Sequence, residues 1–392
     1  MIDGLKKTNV IAPKGGRLVS VDMLRGLAAL AVVLYHAAHK GIFLYPERLA
    51  TWQEWLWLGP FSFGYVGVYC FFVISGFCIH LKVAKGLAAG RTTTIDFKAF
   101  WKRRLRRLYP AYAAALSLYL LVGWYSGHIN FKAAPLWDIT SHLLLIHNLD
   151  PRTVFSLNGV FWTLALEEQL YLAYFVLLFV RRRWGWRRTL LLCSGVRVAW
   201  LAGAALLSYA FGWQVVTLEA AAANWCIWAL GALAVECYFG FVKLPDWCYN
   251  WRLAALLAAA AASLAYANYW VQEIGRFAWG AKLLLQPLWG VASFIVINRA
   301  VRHETFWAAR AAATRWVKAL MWLGLVSYSL YLTHELVFHL EGERPWLTVP
   351  LALLAAWIFF QFFEKPFISA PATRPAAPRE ELTPALHNTQ PA

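Results

Sequence analysis

Charged residues are scarce in this sequence of 392 residues: Asp, Glu, Lys and Arg make up 15% of it, and apolar residues make up 60%. An ordinary water-facing domain carries about 25% charged residues. The composition therefore excludes a typical soluble domain over most of the chain. It indicates a protein whose solvent is lipid.

Cysteine is sparse as well, and no internal repeat is detectable. The six cysteines show no C-x-x-C spacing and mostly lie in apolar runs, so neither a disulfide framework nor a zinc site is indicated. The lack of a repeat disfavours a transporter built from duplicated halves. No separate soluble catalytic domain stands out, so we expect any chemistry to belong to the membrane part.

Acidic residues are few, 20 against 37 Lys and Arg, which gives a formal charge of +17. The basic residues cluster in alternate loops between apolar stretches. Under the positive-inside rule, this pattern places those loops and both termini in the cytoplasm. The charge thus indicates membrane topology, and we expect membrane lipids rather than nucleic acid as partners.

Long apolar stretches are what the sequence does have. They predict an all-α integral membrane protein, a bundle of about ten transmembrane helices with cytoplasmic N- and C-termini. The predicted spans are 21–40, 60–81, 107–126, 159–180, 189–211, 218–240, 252–270, 278–298, 318–338 and 347–367. The apolar stretch 136–148 is too short to cross, and we expect it to be interfacial or re-entrant.

Asp22, Arg25 and His36 fall in the VDMLRGLAALAVVLYH part of the first predicted span, where charge usually faces a cavity, a partner or a pathway. At 100° per residue, Arg25 and His36 return to within about 20° of one helix face, about 16 Å apart along the axis, and Asp22 lies near the same line. Because this span contains Arg25 and His36, we interpret it as a retained helix and not as a signal peptide. Histidine suits proton abstraction from a hydroxyl near neutral pH. The alternative is that Asp22 and Arg25 pair near the surface while His36 extends outward.

Arginines crowd the start of the third span, in FWKRRLRRLYPAY. Arg104 and Arg107 are about one turn apart, so two guanidinium groups can hold the phosphates of a donor such as coenzyme A. Arg103 is expected to support them. The alternative is a stop signal that contacts lipid headgroups.

Two adjacent carboxylates lie about two turns into an apolar helix, in NGVFWTLALEEQLY. One of Glu167 and Glu168 should face a cavity or pair with a cation, and Tyr171 at i+4 can share the face of Glu167. A purely structural ion pair between Glu167 and an arginine is the alternative. Later, in LGLVSYSLYLTHE, His334 is either a supporting catalytic residue or an interfacial histidine.

Taken together and in chain order, these segments resemble acyltransferase family 3, integral membrane proteins that include O-antigen, capsule and exopolysaccharide O-acetyltransferases. Arg25 and His36 look like the family's Arg-x10-His element, and Arg104 and Arg107 look like its Arg-x-x-Arg element. FWTLALEEQLYL is similar to its Trp-Ser-Leu-x-x-Glu block, with Thr163 where Ser is usual. GVYCFFVISGF, VSYSLYLTH and FEKP resemble its second-span, late-span and last-span blocks.

The resemblance implies a transmembrane acyltransferase domain over 20–368, between an N-terminal cytoplasmic tail, 1–19, and a disordered cytoplasmic tail, 369–392. It implies a stand-alone form without the fused esterase-like domain of some relatives. It also implies residue roles: His36 as base or acyl carrier, Glu167 in support of catalysis, and Arg25, Arg104 and Arg107 around the donor.

The implied reaction moves an acyl group, with acetyl expected, from acyl-CoA to a saccharide hydroxyl, with no metal. The acceptor can be lipid-linked, the expected location is the bacterial inner or plasma membrane, and polysaccharide assembly machinery is a candidate partner. Two other classes stay open. A transporter or flippase of a lipid-linked sugar would line its path with the same polar residues, and a structural partner in polysaccharide assembly would be inactive alone.

Overall fold

The structure is a computed structural model that describes residues 18–37, 59–91, 95–127, 129, 131–270, 275–340 and 345–368. The predicted tails, 1–19 and 369–392, lie outside these residues except for Leu18 and Val19. The described part is helical and contains no strand, which confirms the predicted all-α class.

Each predicted span overlaps a helix. The helices are α1 Val19–Ala37, α2 Val66–Ala88, α3 Phe97–Ser126, α4 Pro135–Leu143, α5 Trp162–Phe211, α6 Ala221–Tyr238, α7 Trp251–Trp270, α8 Gly275–Arg302, α9 Glu304–Ala313, α10 Arg315–Leu340 and α11 Pro345–Phe359. The chain then continues through one π turn, Phe360–Glu364, and a 3-10 turn, Lys365–Phe367. The nine-residue α4 covers the first part of the stretch 136–148, and it is too short to cross a bilayer, as expected.

Six helices of the described residues are long and apolar enough to cross a membrane. They are α1, α2, α5, α6, the Leu283–Arg302 part of α8, and the last helix with its extension over Leu347–Phe367. The sequence predicted about ten spans. Part of the difference comes from α5, whose 50 residues contain two of the predicted spans, 159–180 and 189–211.

Helix α5 reverses direction at Gly185, whose φ of 76° and ψ of 175° are not helical. Before Gly185, Tyr174 and Arg181 contact Trp228 and Glu236, so this half runs parallel to α6. After it, Trp186 contacts Glu236 and Arg197 contacts Ala223, so this half runs antiparallel to α6. The backbone angles of Gly185 belong to a region that is essentially restricted to glycine.

A buried arginine ties the second half of α5 to α8. Pro287 interrupts α8 and has no N–H, so the carbonyl of Leu283 four residues earlier lacks its helical donor. Arg197 donates to that carbonyl over 3.3 Å, and its other nitrogen donates to Gln286 over 2.7 Å. The guanidinium thus satisfies the backbone group that the proline leaves without a donor.

Helices α1 and α10 run side by side in the same direction at very short range. A Cβ added at Gly26 would lie 2.1 Å from the carbonyl oxygen of Leu320, and one added at Gly324 would lie 2.0 Å from that of Asp22. Glycine at both positions therefore lets the two backbones touch, as small residues do in membrane helix pairs. The same pairing brings the C-terminal ends of both helices together.

Candidate active site

A cavity of about 80 Å³ lies between α1, α2, α5 and α10. Arg25 and Glu167 supply its charged groups, and Thr163, Tyr328 and Tyr331 supply polar ones. At about 30 Å³ per water molecule, the cavity has room for a group of a few heavy atoms. Two residues predicted from separate parts of the sequence, Arg25 and Glu167, therefore line one space.

Glu167 is held in place by groups from three helices. Tyr171 donates a hydrogen bond of 3.0 Å to the Glu167 carboxylate from the next turn of α5. Arg25 of α1 and Arg104 of α3 are the cations that act on it electrostatically. Glu168 faces a second cavity, of about 20 Å³, on which Glu167 also borders.

The start of α3 directs its arginines to different surroundings. Asp96 caps the helix by accepting a bond of 3.2 Å from the Ala99 N–H, which fixes where the basic stretch begins. The Arg104 guanidinium then lies 5.4 Å from the centre of the Tyr171 ring, a cation-π distance. Arg103 is exposed, and the structure does not bring it to this group.

Arg107 lies one turn further into the bundle. Arg104, Arg25 and Glu364 are the charged groups that act on it. Its Nε is buried and has no hydrogen-bond partner among the described residues. Glu364 is buried, and it accepts a 2.6 Å hydrogen bond from Ser329 of α10. The sequence analysis gave Glu364 no role, yet its carboxylate belongs to this charged group.

Tyr331 connects the cavity to the predicted catalytic histidine. Its hydroxyl lies 2.8 Å from the Thr163 hydroxyl and 3.2 Å from the Val160 carbonyl, so the ring is fixed in the cavity wall. Its ring centre lies 5.8 Å from that of His334. His334 in turn contacts His36, with 3.2 Å between His334 Nε2 and His36 Nδ1.

His36, His334 and Glu335 form a cluster at the C-terminal end of the α1 and α10 pair. His36 Nε2 is 3.8 Å from Glu335 Oε1, and one donor atom from each of the three residues lies within 4.8 Å of the others. This spacing is compatible with a metal ion. The sequence analysis did not predict a role for Glu335, and the expectation of no metal stays a prediction.

Asp22 also lies on α1, where it is buried beside Gly324 of α10. It therefore marks the close contact between the two helices. The predicted polar stripe on α1 thus has three surroundings: Asp22 at the α10 contact, Arg25 at the cavity and His36 at the histidine cluster.

A second network of buried ionisable groups lies between α2, α5 and α6. The carboxylate of Glu236 contacts His80 Nε2 at 2.8 Å, Arg181 at 2.5 Å and the Trp186 indole N–H at 2.7 Å. His80 Nδ1 lies 2.9 Å from the Tyr174 hydroxyl. The sequence analysis assigned no role to His80 or Glu236. Because the Glu236 carboxylate and both ring nitrogens of His80 have hydrogen-bond partners, we infer a structural role.

The short helix α4 and the turn after it contain a third group, outside the apolar spans. The rings of His142 and His147 stack at 3.9 Å, and Ser156 donates a 2.5 Å bond to Asp138. Burial and the neighbouring His142 lower the pKa of His147 to about 3. Burial also lowers the pKa of His142, so both rings are neutral near pH 7 and act as packed aromatic groups.

Comparison with known proteins places this arrangement in a family. The family model described as an acyltransferase domain, that of acyltransferase family 3, matches residues 18–366. The chain therefore belongs to acyltransferase family 3, as the sequence motifs predicted. The matched range includes the cavity, the arginine cluster and the histidine cluster.

Two relatives illustrate the similarity. The peptidoglycan O-acetyltransferase OatA of Listeria monocytogenes is 25% identical over 378 residues, which cover 88% of this chain and 55% of the relative. The O-acetyltransferase OatA of Staphylococcus aureus is 30% identical over 165 residues, 40% of this chain and 24% of the relative. At its widest match, the chain thus spans about half the length of these relatives. No solved structure matches it.

Proposed function

We propose that this protein is a membrane O-acyltransferase that moves an acyl group, acetyl first among them, from acyl-CoA to a hydroxyl of a cell-surface or exported saccharide. The observation that carries the proposal is the cavity that Arg25 and Glu167 share, with Tyr331 leading from it to His36. Membership of the acyltransferase family supports the reaction class. The relatives are named O-acetyltransferases, which supports acetyl as the group transferred.

The donor phosphates are assigned to Arg104 and Arg107. Arg107 has a buried N–H without a partner among the described residues, which suits a group that gains an anionic ligand. Arg104 is held against Tyr171, so its guanidinium is already oriented before a ligand arrives. The phosphates would bind near the start of α3, and the thioester arm would reach the cavity.

The proposal includes a topology of about ten crossings with cytoplasmic termini. Each of the ten predicted spans overlaps a helix, and the reversal at Gly185 would supply two crossings from α5. Arg181, Arg182 and Arg183 flank this reversal, as the positive-inside rule requires of a cytoplasmic turn. In a bacterial plasma membrane, the donor would then enter from the cytoplasm and His36 would lie toward the outer face.

Two versions of the chemistry fit these positions. In the direct version, His36 takes the proton of the saccharide hydroxyl, whose oxygen attacks the thioester carbonyl. In the relay version, His36 is itself acylated and passes the group to an acceptor nearer the outer face. Glu167 and Arg25 would orient the thioester in both versions.

The acceptor class is a saccharide, and peptidoglycan is the first to test because one relative is named for it. Lipid-linked repeat units are the second. Polysaccharide assembly machinery would deliver either one at the membrane, so it stays a candidate partner.

The function is tested with purified protein in lipid nanodiscs, radiolabelled acetyl-CoA and peptidoglycan fragments. We expect label on the glycan and release of coenzyme A by the wild type. His36→Ala should lose at least 100-fold in rate, the usual contribution of a general base. His303→Ala is the matched control, because His303 is exposed beside α9 and is not one of the residues that line the cavity. A folded wild type that consumes no acetyl-CoA with any acceptor would refute the proposal and favour transport.

The donor site is tested separately. Arg104→Ala should raise the KM for acetyl-CoA by about 10- to 100-fold, as expected for a lost charge-assisted hydrogen bond. Arg106→Ala removes the same charge two residues away on the exposed side of α3, and it should leave KM near the wild-type value. Equal KM values for both variants would contradict the assignment.

A further inference from the structure

The C-terminal ends of α1 and α10 bring two histidines into direct contact. His334 is fully buried, and its Nε2 lies 3.2 Å from His36 Nδ1, with the two ring planes at 47°. The side chain of His36 is 23% exposed. The His334 ring is therefore enclosed, as is usual for a positioning residue. The His36 ring is accessible, as a reacting residue must be.

The hydrogen bonds determine where the protons lie. His334 Nδ1 is 3.0 Å from the Leu330 carbonyl, and a carbonyl only accepts, so His334 carries its proton on Nδ1. The Nε2 of a neutral His334 is then an acceptor. Since His36 Nδ1 faces this acceptor and also the Val32 carbonyl at 3.0 Å, it must carry the proton of His36. The lone pair of His36 is left on Nε2.

Glu335 lies on the other side of the same imidazole. Its Oε1 is 3.8 Å from His36 Nε2, too far for a hydrogen bond but close enough for charge attraction. The Glu335 side chain is 10% exposed, so water screens this attraction only weakly. A carboxylate here favours His36 in the state that has gained a proton on Nε2.

We propose that His334 is a positioning residue that holds His36 in the tautomer with its proton on Nδ1, and that Glu335 stabilises the imidazolium formed when Nε2 takes a proton. The reaction step rests on the proposed function. His36 Nε2 removes the acceptor hydroxyl proton, the oxygen bonds to the acyl carbon, and the carbon–sulfur bond breaks. The thiolate then takes that proton from His36, which gives an ester and free coenzyme A.

The same three side chains are close enough to hold a metal ion, and the two arrangements exclude each other. A metal bound at His334 Nε2 would use the lone pair that accepts from His36 Nδ1. His36 Nδ1 also lies 3.0 Å from the Val32 carbonyl, which only accepts, so this nitrogen carries a proton and is not available as a metal ligand. Elemental analysis of the purified protein distinguishes the two, because a stoichiometric metal that His334→Phe removes would overturn the proposal.

The tautomer is tested without any acyl transfer. Protein labelled with ring-15N histidine is studied in nanodiscs by solid-state NMR at pH 8, and His36→Gln identifies the His36 signal by its loss. We expect the proton of His36 on Nδ1, with an increased share on Nε2 in His334→Phe. A proton on Nε2 in the wild type would overturn the proposal. Because this readout needs no substrate, its result stands even if the proposed transferase activity fails.

Kinetics test the two roles separately. His334→Phe should lower kcat by about tenfold, the value of one hydrogen bond, at an unchanged KM for acetyl-CoA. His334→Gln should recover most of the rate, because its amide oxygen can accept from His36. A purely structural His334 would instead lower the melting temperature in both variants and show no such recovery.

Glu335→Gln should move the rising limb of the kcat against pH profile to lower pH, because His36 then loses its proton more readily. Titratable residues near this end include Tyr35 of α1, Tyr65 before α2, and His334 and His339 of α10, whereas the sequence of α11 contains none. Asp246→Asn is the control, since Asp246 is exposed on the turn before α7. An unshifted pH profile in Glu335→Gln would contradict the proposed role of Glu335.

Discussion

The substitution Gly324→Ala adds one methyl group and should move His36 and His334 apart. It acts at a distance, because Gly324 lies several helical turns before His334 on α10. A Cβ at Gly324 would lie 2.0 Å from the Asp22 carbonyl oxygen, and Cβ contacts shorter than 3.0 Å essentially do not occur. The shortfall is 1.0 Å against backbone, which cannot rotate away as a side chain can. The two helices must therefore move apart by at least about 1 Å.

A displacement of this size is enough to matter at the site. If it is transmitted to the C-terminal ends, the contact between His334 Nε2 and His36 Nδ1 lengthens from 3.2 Å to more than 4 Å, beyond hydrogen-bond range. Misplacing a reacting group by about 1 Å lowers rates by roughly 100-fold. Overpacking costs about 1–3 kcal/mol of stability, so a folded variant is expected.

The measurement is the acetyl transfer rate of Gly324→Ala in nanodiscs, beside its melting temperature. The matched control is Gly203→Ala in the second half of α5, where an added Cβ has nothing within 4 Å. Gly203→Ala should keep the wild-type rate. If Gly324→Ala transfers acetyl as fast as Gly203→Ala does, close packing of α1 on α10 does not position His36.

Two further predictions concern stability. Glu236→Leu should lower the free energy of unfolding by about 3–5 kcal/mol, because it leaves Arg181 and His80 without their carboxylate; a melting temperature equal to the wild type would contradict this. His147 binds a proton near pH 6.5 when unfolded but only near pH 3 when folded, so its contribution is complete above pH 6.5 and declines toward pH 3. Melting curves between pH 7.5 and 4.5 should show a slope of up to about 1.4 kcal/mol per pH unit that His147→Phe reduces, and an unchanged slope would exclude the effect.

The parts of the site that lie on one helix could be predicted from spacing. Glu167 and Tyr171 are four residues apart, and helix geometry alone brings them together. The family motifs added Arg25, Arg104 and His36; the structure brings Arg25 and Arg104 to Glu167, and the roles of all three stay predictions. Spacing could not show that Arg103 faces outward, because the orientation of α3 depends on its neighbours.

Contacts between helices could not be predicted in this way. His36 and His334 are separated by 298 residues, and His80 and Glu236 by 156. Their contacts depend on which helices pack and at what register. Gly26 and Gly324 permit the close approach of α1 and α10, and Gly76 and Gly231 permit that of α2 and α6. For the same reason Glu335 and Glu364 had no signal beyond their polarity. A carboxylate in an apolar helix indicates that a partner exists and does not identify it.

The chain reverses at a single residue, Gly185, where the sequence predicted a loop. The sequence predicted spans over 159–180 and 189–211 with a basic connection between them, whereas the structure has helix on both sides of Gly185. The basic residues of the connection are arginines, and they are helical because arginine is a good helix former. Composition predicted the reversal, and the backbone angles of a single glycine produce it.

In the proposed topology, Gly185 also determines on which side of the membrane each later loop emerges. A straight helix of 50 residues would be about 75 Å long, more than twice the hydrocarbon thickness of about 30 Å. In the proposed topology, reversal at this residue converts one passage into two, so each later loop would emerge on the side opposite to the one it would otherwise reach. Arg181 before the turn and Trp186 after it both bind Glu236, which fastens the reversal from both sides. In that topology, the sidedness of α6 to α11 would depend on one residue without a side chain.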